Sequence, residues 1–377
     1  MKKFNYFAPT EIVFGCGVVA ETGAQAARFG KKAIVVTDNR LPQIGDTFAK
    51  LTASLDKAGV SYVHFDGVIP NPTTAVVTKG AEMAKAFGAQ VAIGLGGGSS
   101  MDTAKAIAVE ATHPGTAWDY LHYTDGPTEK TLPIIAVSTT AGTGSQTTPC
   151  AVITKTENLD KSAIWHKNIF PKVAIVDPEL TATMPAHVTA QTGFDAFCHN
   201  FEAYLSVNTN PLVETMALEA IRIIAENLPK VYKDGSDMEA RSQMAWGDTL
   251  GGLTNASAGV TLPHGLGMQV GGHCPHVTHG QALAAIYPAF TRYTYESAKE
   301  KFDKVGKIFD PTVDPCTAID NFLKSIDLYI DFKSLNVTKE DLRAIADCGQ
   351  VLSDYKNNPR VATIDEMYDL LMDCYER

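Results

Sequence analysis

Val91-Ala92-Ile93-Gly94-Leu95 runs directly into Gly96-Gly97-Gly98-Ser99-Ser100, then Met101-Asp102-Thr103-Ala104-Lys105. The first five residues read as a buried strand, the glycines as a tight turn, and the residues from Met101 as a helix start. Successive glycines let backbone N–H groups approach a pyrophosphate closely, and a helix N-terminus adds partial positive charge. The same pattern also describes a plain strand-to-helix turn with Ser100 as N-cap, so the loop alone leaves both readings open. It is not G-x-G-x-x-G, and it follows the third strand rather than the first, so an ordinary Rossmann fingerprint is absent. Gly15-Cys16-Gly17, a lone G-x-G, reads as a turn.

Outward from this loop, apolar runs alternate with helical patterns. Lys32–Thr37, Ser61–Phe65, Leu132–Val137 and Lys172–Asp177 read as further strands, and about 44–58 and 74–87 as helices. Such alternation predicts an α/β fold with a parallel sheet and helices on both faces. Ala151–Thr154 and Ser162–Trp165 flank a polar turn with Asn158 and Asp160, which predicts a hairpin. From Met184-Pro185 onward the patterns are helical almost to the end, with clear examples at Ile221–Leu228 and Asp237–Leu250. The expectation is a dinucleotide-binding α/β domain over 1–181, an all-α metal and substrate domain over 182–377, and a cleft between them.

A second loop, Ser138-Thr139-Thr140-Ala141-Gly142-Thr143-Gly144-Ser145, also follows a strand and offers hydroxyls to a nucleotide. Two such loops after neighbouring strands favour a shared nucleotide site over two surface loops. Asp38, at the end of its strand, suits either a turn or a ribose contact; a carboxylate facing the ribose would repel a 2′-phosphate and favour NAD(H) over NADP(H).

The chain has 377 residues, 45% of them hydrophobic and 20% charged, the mix of a folded protein too long for one core. Its formal charge of -10 argues against nucleic acid or an anionic membrane as main partner. No signal peptide and no membrane span are expected. The seven cysteines are scattered and never spaced as C-x-x-C, which suits reduced thiols in a cytoplasmic enzyme.

The helical half carries a possible metal constellation. Asp195 and His199 are four residues apart, so a helix points both from one face. His264, His273, His276 and His279 follow, so five of the ten histidines lie between Asp195 and His279. One carboxylate and three imidazoles would hold a divalent first-row metal and leave a position open for a substrate oxygen. Taken singly, each histidine is more often a satisfied polar residue than a ligand; the cluster beside a nucleotide-binding half favours the metal.

In this order the elements resemble the iron-containing (group III) alcohol dehydrogenase family. The resemblance rests on Phe14-Gly15, Phe65–Val68, Pro70-Asn71-Pro72, Gly96–Ser99 with Asp102 and Lys105, Thr139–Ser145, Ile175–Leu180, Thr192–Asp195, His199 and Glu202-Ala203-Tyr204. It implies Asp195, His199, His264 and His279 as ligands of Fe²⁺, with Zn²⁺ possible. It implies Asp38, Gly97, Gly98, Ser99, Thr139, Thr140, Lys161 and Leu180 as NAD(H) contacts. The implied reaction moves a hydride between NAD(H) and a small primary alcohol or aldehyde, in a homodimer or larger homo-oligomer.

Three positions depart from the family pattern. Met268 stands where many relatives have a second histidine, four residues after the third ligand. The His264–His279 spacing is one longer than usual, which keeps His276 as a rival ligand. Gln146 replaces a frequent Glu. The expected proton outlet is His273 or His276, and the expected pocket residues, Phe194, Phe197, Met268 and Cys274, are neutral. The alternative reading is an NAD- and metal-dependent lyase like the dehydroquinate synthases, but Leu262–Gly280 lacks the Lys and Arg that a phosphorylated substrate needs.

Overall fold

The computed structural model describes residues 3–39, 41–157 and 160–376, without the side chains of 41–44. Asn158 of the expected hairpin turn lies outside the described residues. In chain order the strands are β1 (Glu11–Phe14), β2 (Lys32–Asp38), β3 (Ser61–Val68), β4 (Val91–Gly96), β5 (Ile134–Ser138), β6 (Cys150–Lys155), β7 (Asp160–Trp165) and β8 (Val173–Val176). The helices are α1 (Thr22–Ala27), α2 (Leu41–Lys57), α3 (Thr74–Phe87), α4 (Gly98–Glu110), α5 (Ala186–Leu205), α6 (Pro211–Lys233), α7 (Met238–Ala258), α8 (Leu262–His273), α9 (His279–Tyr295), α10 (Lys299–Phe309), α11 (Pro315–Ser325), α12 (Lys339–Asp347) and α13 (Ile364–Asp373). The chain divides into two compact units: Ala8–Thr140 with Ser145–Thr183, and Met184–Arg377 with Met1–Phe7 and Ala141–Gly144.

In the α/β unit six strands form one parallel sheet in the order β1-β8-β5-β4-β2-β3. The period of two decides which residue faces which layer. Ala33, Val35, Val91, Ile93, Ile135 and Val137 join Ala26, Leu51 and Leu55 of α1 and α2 in one core. Their neighbours Ile34, Val36, Ala92 and Ile134 join Val77 of α3 and Ile107 of α4 in the other. Because both faces are covered, the strands read as nearly unbroken apolar runs. The hairpin β6–β7 is antiparallel and contributes Ala151, Ile153 and Ile164 to the second core.

Beneath the glycine loop a buried ionic cluster fixes α4. Lys105 is fully buried and its Nζ donates to the Ser145 carbonyl at 2.8 Å, Ser145 Oγ at 2.8 Å and the Cys150 carbonyl at 2.6 Å. Asp102 accepts from Ser145 Oγ at 2.6 Å and from the Val152 amide at 3.0 Å. Burial lowers the Lys105 pKa and Asp102 opposes this, so the ammonium is held by directed bonds rather than hydration.

The second unit is helical. On α5 the period of 3.6 separates two stripes. Phe194, Phe197 and Phe201 enter an aromatic core with Tyr287, Phe302 and Phe322. Asp195, His199 and Glu202 occupy the other stripe and are equally buried. Phe194 and Phe197 are 0% exposed, which corrects the expectation that they line a pocket: they are core residues facing away from Asp195. No described helix is long and apolar enough to cross a membrane.

Candidate active site

The nucleotide candidates gather along one edge of the parallel sheet. Asp38 ends β2, Gly97, Gly98 and Ser99 follow β4, Thr139 and Thr140 follow β5, and Leu180 follows β8. These four strands are consecutive in the sheet, and the carboxyl ends of parallel strands are where α/β folds bind ligands. Gly96 has φ 144°, a backbone that side chains rarely adopt. Helix α4 begins at Gly98 with Gly97 as N-cap, earlier than Met101 and without Ser100 as cap. The first free N–H groups of the helix therefore belong to the glycine loop itself. A Cβ on Gly97 would lie 3.2 Å from Thr140 Cγ2, and Thr140 Oγ1 is buried without a hydrogen-bond partner. Bare N–H groups and an unanswered hydroxyl suit a phosphate. Lys161, on β7, donates from Nζ to Asn71 Oδ1 at 2.8 Å.

The metal candidates converge in the helical unit. Donor atoms of Asp195, His199 and His264, all buried, lie within 4.8 Å of one another. Asp195 Oδ1 is 3.4 Å from His264 Nε2, 3.8 Å from His199 Nδ1 and 3.8 Å from His279 Nε2. His279 opens α9, whose N-terminus is fixed by a capping box between Thr278 and Gln281. Gly280 lets this end press against α5: a Cβ there would meet the Gln191 carbonyl oxygen at 2.5 Å. Asp195 Oδ1 and His264 Nε2 are buried and make no hydrogen bond. Two orphaned donors pointing together, in a carboxylate and imidazole set, fit Fe²⁺ or Zn²⁺.

An outer layer orients these rings. Glu202, fully buried one turn beyond His199, accepts from His264 Nδ1 at 2.7 Å and from the Tyr287 hydroxyl at 3.1 Å. Its second oxygen accepts from the Thr261 amide at 2.8 Å and the Thr261 hydroxyl at 3.2 Å, at the N-terminus of α8. His199 Nδ1 donates to the Gly142 carbonyl at 3.1 Å, which leaves its Nε2 as the ligating nitrogen. Burial pushes the Asp195 carboxyl up, but His199, His264 and His279 outweigh it and hold the pKa at about 2. Burial alone would depress His264; Glu202 and Asp195 outweigh it and lift the imidazole to about 10. His199 stays low because burial dominates its neighbours. Glu202 is the functional residue that sequence reading missed, although its spacing continues the Asp195, His199 stripe.

Two histidines of the stretch stand elsewhere. His276 is exposed, and its Nε2 donates to the Leu335 carbonyl at 3.0 Å. His273 is half-buried, with Nδ1 3.3 Å from the Gln269 carbonyl. Both act electrostatically on Asp341 at the start of α12. Cys274 is buried among core residues.

Comparison with known proteins matches both parts of the chain. Residues 9–178 match the family described as iron-containing alcohol dehydrogenase, and 189–375 match the C-terminal domain of that family. The choline dehydrogenase of Bacillus subtilis is 40% identical over 314 residues, covering 82% of this chain and 77% of its own. The NAD-dependent methanol dehydrogenase of Bacillus methanolicus is 32% identical over 378 residues, covering 97% and 98%. The crystal structure of an archaeal halo-thermophilic alcohol dehydrogenase from a Red Sea brine pool superposes with a TM-score of 0.95 at 34% identity, covering 99% of this chain and 100% of that one. These matches set the dehydrogenase reading above the lyase alternative. The chain belongs to the iron-containing alcohol dehydrogenase family.

Proposed function

We propose that this chain is a cytoplasmic, NAD(H)-linked, metal-dependent dehydrogenase of small primary alcohols and their aldehydes, working as a homodimer or larger homo-oligomer. The observation that carries the reading is the convergence of Asp195, His199 and His264 on one buried point, with His279 beside it. Residues 1–181 form the nucleotide-binding domain and 182–377 the metal and substrate domain. The NAD-dependent methanol dehydrogenase among the relatives supports the choice of cofactor. Seven scattered cysteines with no C-x-x-C spacing support a reducing compartment.

Asp195, His199, His264 and His279 hold the metal, which when bound supplies Lewis acidity, favouring an ionised hydroxyl in one direction and a polarised carbonyl in the other. NAD(H), when bound, supplies the hydride acceptor or donor. Glu202 keeps the proton of His264 on Nδ1, and the Gly142 carbonyl does the same for His199. The amides of Gly97, Gly98 and Ser99 take the pyrophosphate, and Thr139, Thr140 and Lys161 add polar contacts. Asp38 accepts from the ribose hydroxyls, and Leu180 packs against the nucleotide. His273 and His276 carry the released proton to solvent. His279 takes the fourth ligand position rather than His276, whose Nε2 proton is committed to the Leu335 carbonyl. The test is elemental analysis of anaerobically purified protein, with NAD⁺-linked alcohol oxidation measured on the same sample. About one Fe²⁺ or Zn²⁺ per chain and activity proportional to metal are expected. Full activity of metal-free protein would refute the reading.

A further inference from the structure

Thr37, the residue before Asp38, is fully buried, yet its hydroxyl has two polar neighbours. Its Oγ1 lies 2.9 Å from the Asp38 carbonyl oxygen and 2.8 Å from His64 Nε2. Two oxygens approach that closely only with a proton between them, so Thr37 donates to Asp38 and accepts from His64. The ring proton of His64 therefore sits on Nε2. Burial lowers the His64 pKa and outweighs the opposing charge of Asp66, which keeps the ring uncharged at neutral pH. Phe48 of α2 packs on the ring, with centroids 4.4 Å apart. His64 pairs with Val35, and the period of two puts Val35 and Thr37 on the α2 face, so the reach from His64 to Thr37 is a diagonal one.

This bridge stands where the sheet loosens its hold on β2. The ladder with β4 runs from Ala33↔Val91 to Val36↔Gly94 and stops short of Asp38. The ladder with β3 is regular as far as Val36↔Phe65 and then slips to Asp38↔Val68, so β3 carries one extra residue there. A shifted pairing and the Thr37 hydroxyl thus hold the backbone from which the Asp38 carboxylate projects.

We propose that Thr37 and His64 are positioning residues for Asp38: the chain from His64 Nε2 through Thr37 Oγ1 to the Asp38 carbonyl fixes the carboxylate against the adenosine ribose and sets the preference for NAD(H) over NADP(H). This rests on the reading of Asp38 as the ribose contact and adds the residues that act through it. A carboxylate able to turn aside gives up its bonds to the ribose hydroxyls and no longer repels a 2′-phosphate at close range. Both changes move the two coenzymes toward equal affinity. Neither residue belongs to the glycine loop or to the metal set, so the effect falls on that ratio.

Calorimetry of the full chain with NADH and with NADPH gives the ratio of the two dissociation constants without any alcohol. Asp38→Gly is expected to narrow this ratio, as the reading of Asp38 requires. Thr37→Val keeps the shape of the side chain and removes the hydroxyl. It is expected to narrow the ratio about three- to tenfold, the worth of one net hydrogen bond, mainly by weakening NADH. His64→Leu is expected to do the same, and Thr37→Ser and His64→Gln, which keep acceptor and donor, to recover part of the loss. In an Asp38→Gly background Thr37→Val should leave the ratio where it is, which a general loosening of the domain would not do. Thermal unfolding checks that each variant is folded. An unchanged ratio in folded Thr37→Val and His64→Leu proteins, beside a narrowed one in Asp38→Gly, overturns this proposal alone. Equal narrowing by Thr37→Val with and without Asp38 overturns it as well. If Asp38→Gly leaves the ratio unchanged, the ribose assignment fails and this inference falls with it.

Discussion

Replacing Glu202 by Gln keeps the size of the side chain and removes its charge, which isolates its role behind His264. The carboxylate accepts four hydrogen bonds, two on each oxygen. An amide has one oxygen, so its NH₂ must face one of the two sets of donors. Turned toward Thr261, it leaves the amide of this N-cap residue of α8 unsatisfied, at a cost of about 1–3 kcal/mol. Turned toward His264, it forces the ring to carry its proton on Nε2, the nitrogen that faces Asp195. Loss of such an outer carboxylate costs about 10–100-fold in metal affinity, or roughly 1.4–2.8 kcal/mol. Competition with a chromophoric chelator measures this directly on Glu202→Gln and parent protein, and thermal unfolding of the metal-free forms separates affinity from stability. Equal metal affinity in the two proteins would refute the orienting role.

Three further outcomes are expected. His279→Ala should lose most bound metal while still binding NADH, whereas His276→Ala should keep the metal; the opposite pattern by elemental analysis would move the fourth ligand to His276. Gly97→Val should reduce NADH affinity at least 100-fold by calorimetry, because the 3.2 Å approach to Thr140 leaves no room for a branched side chain and a phosphate together; an unchanged affinity in a folded variant would refute the phosphate assignment. Burial raises the Asp354 pKa from 3.8 to about 7 against the pull of His264. The folded, metal-free protein therefore holds this proton across the window from about pH 4 to 7, where the unfolded chain has lost it, and stability falls as pH rises. Above pH 7 the penalty is on the order of 4 kcal/mol, so Asp354→Asn should melt higher than the parent at pH 8 and match it near pH 4. A pH-independent difference would count against the burial.

The sheet was readable because each strand buried on both faces is an apolar run followed by turn residues. β1 was not, since Glu11–Phe14 is four residues long and becomes a strand only by pairing with Val173–Val176. The early start of α4 was hidden because glycines read as turn, although the first helical turn is where free amides serve an anion. The Asp195–His199 pair was legible from helical spacing. The same period assigns Phe194 and Phe197 to the opposite stripe, a consequence that the expectation of an aromatic pocket overlooked. Glu202 continued the polar stripe, but its partner His264 is 62 residues away and no local pattern announces the contact.

The loop from Ser138 to Ser145 has a consequence for protein engineers. Thr139 and Thr140 are its nucleotide candidates, and two residues later the Gly142 carbonyl holds the Nδ1 proton of His199. A Cβ at Gly142 would meet the Thr192 carbonyl oxygen at 2.4 Å, so even this glycine has no latitude. Exchanging the loop as a cassette to alter coenzyme preference would therefore also retune an imidazole of the metal set. Screens for new coenzyme use should vary Thr139 and Thr140 alone and hold the chain fixed from Gly142 onward.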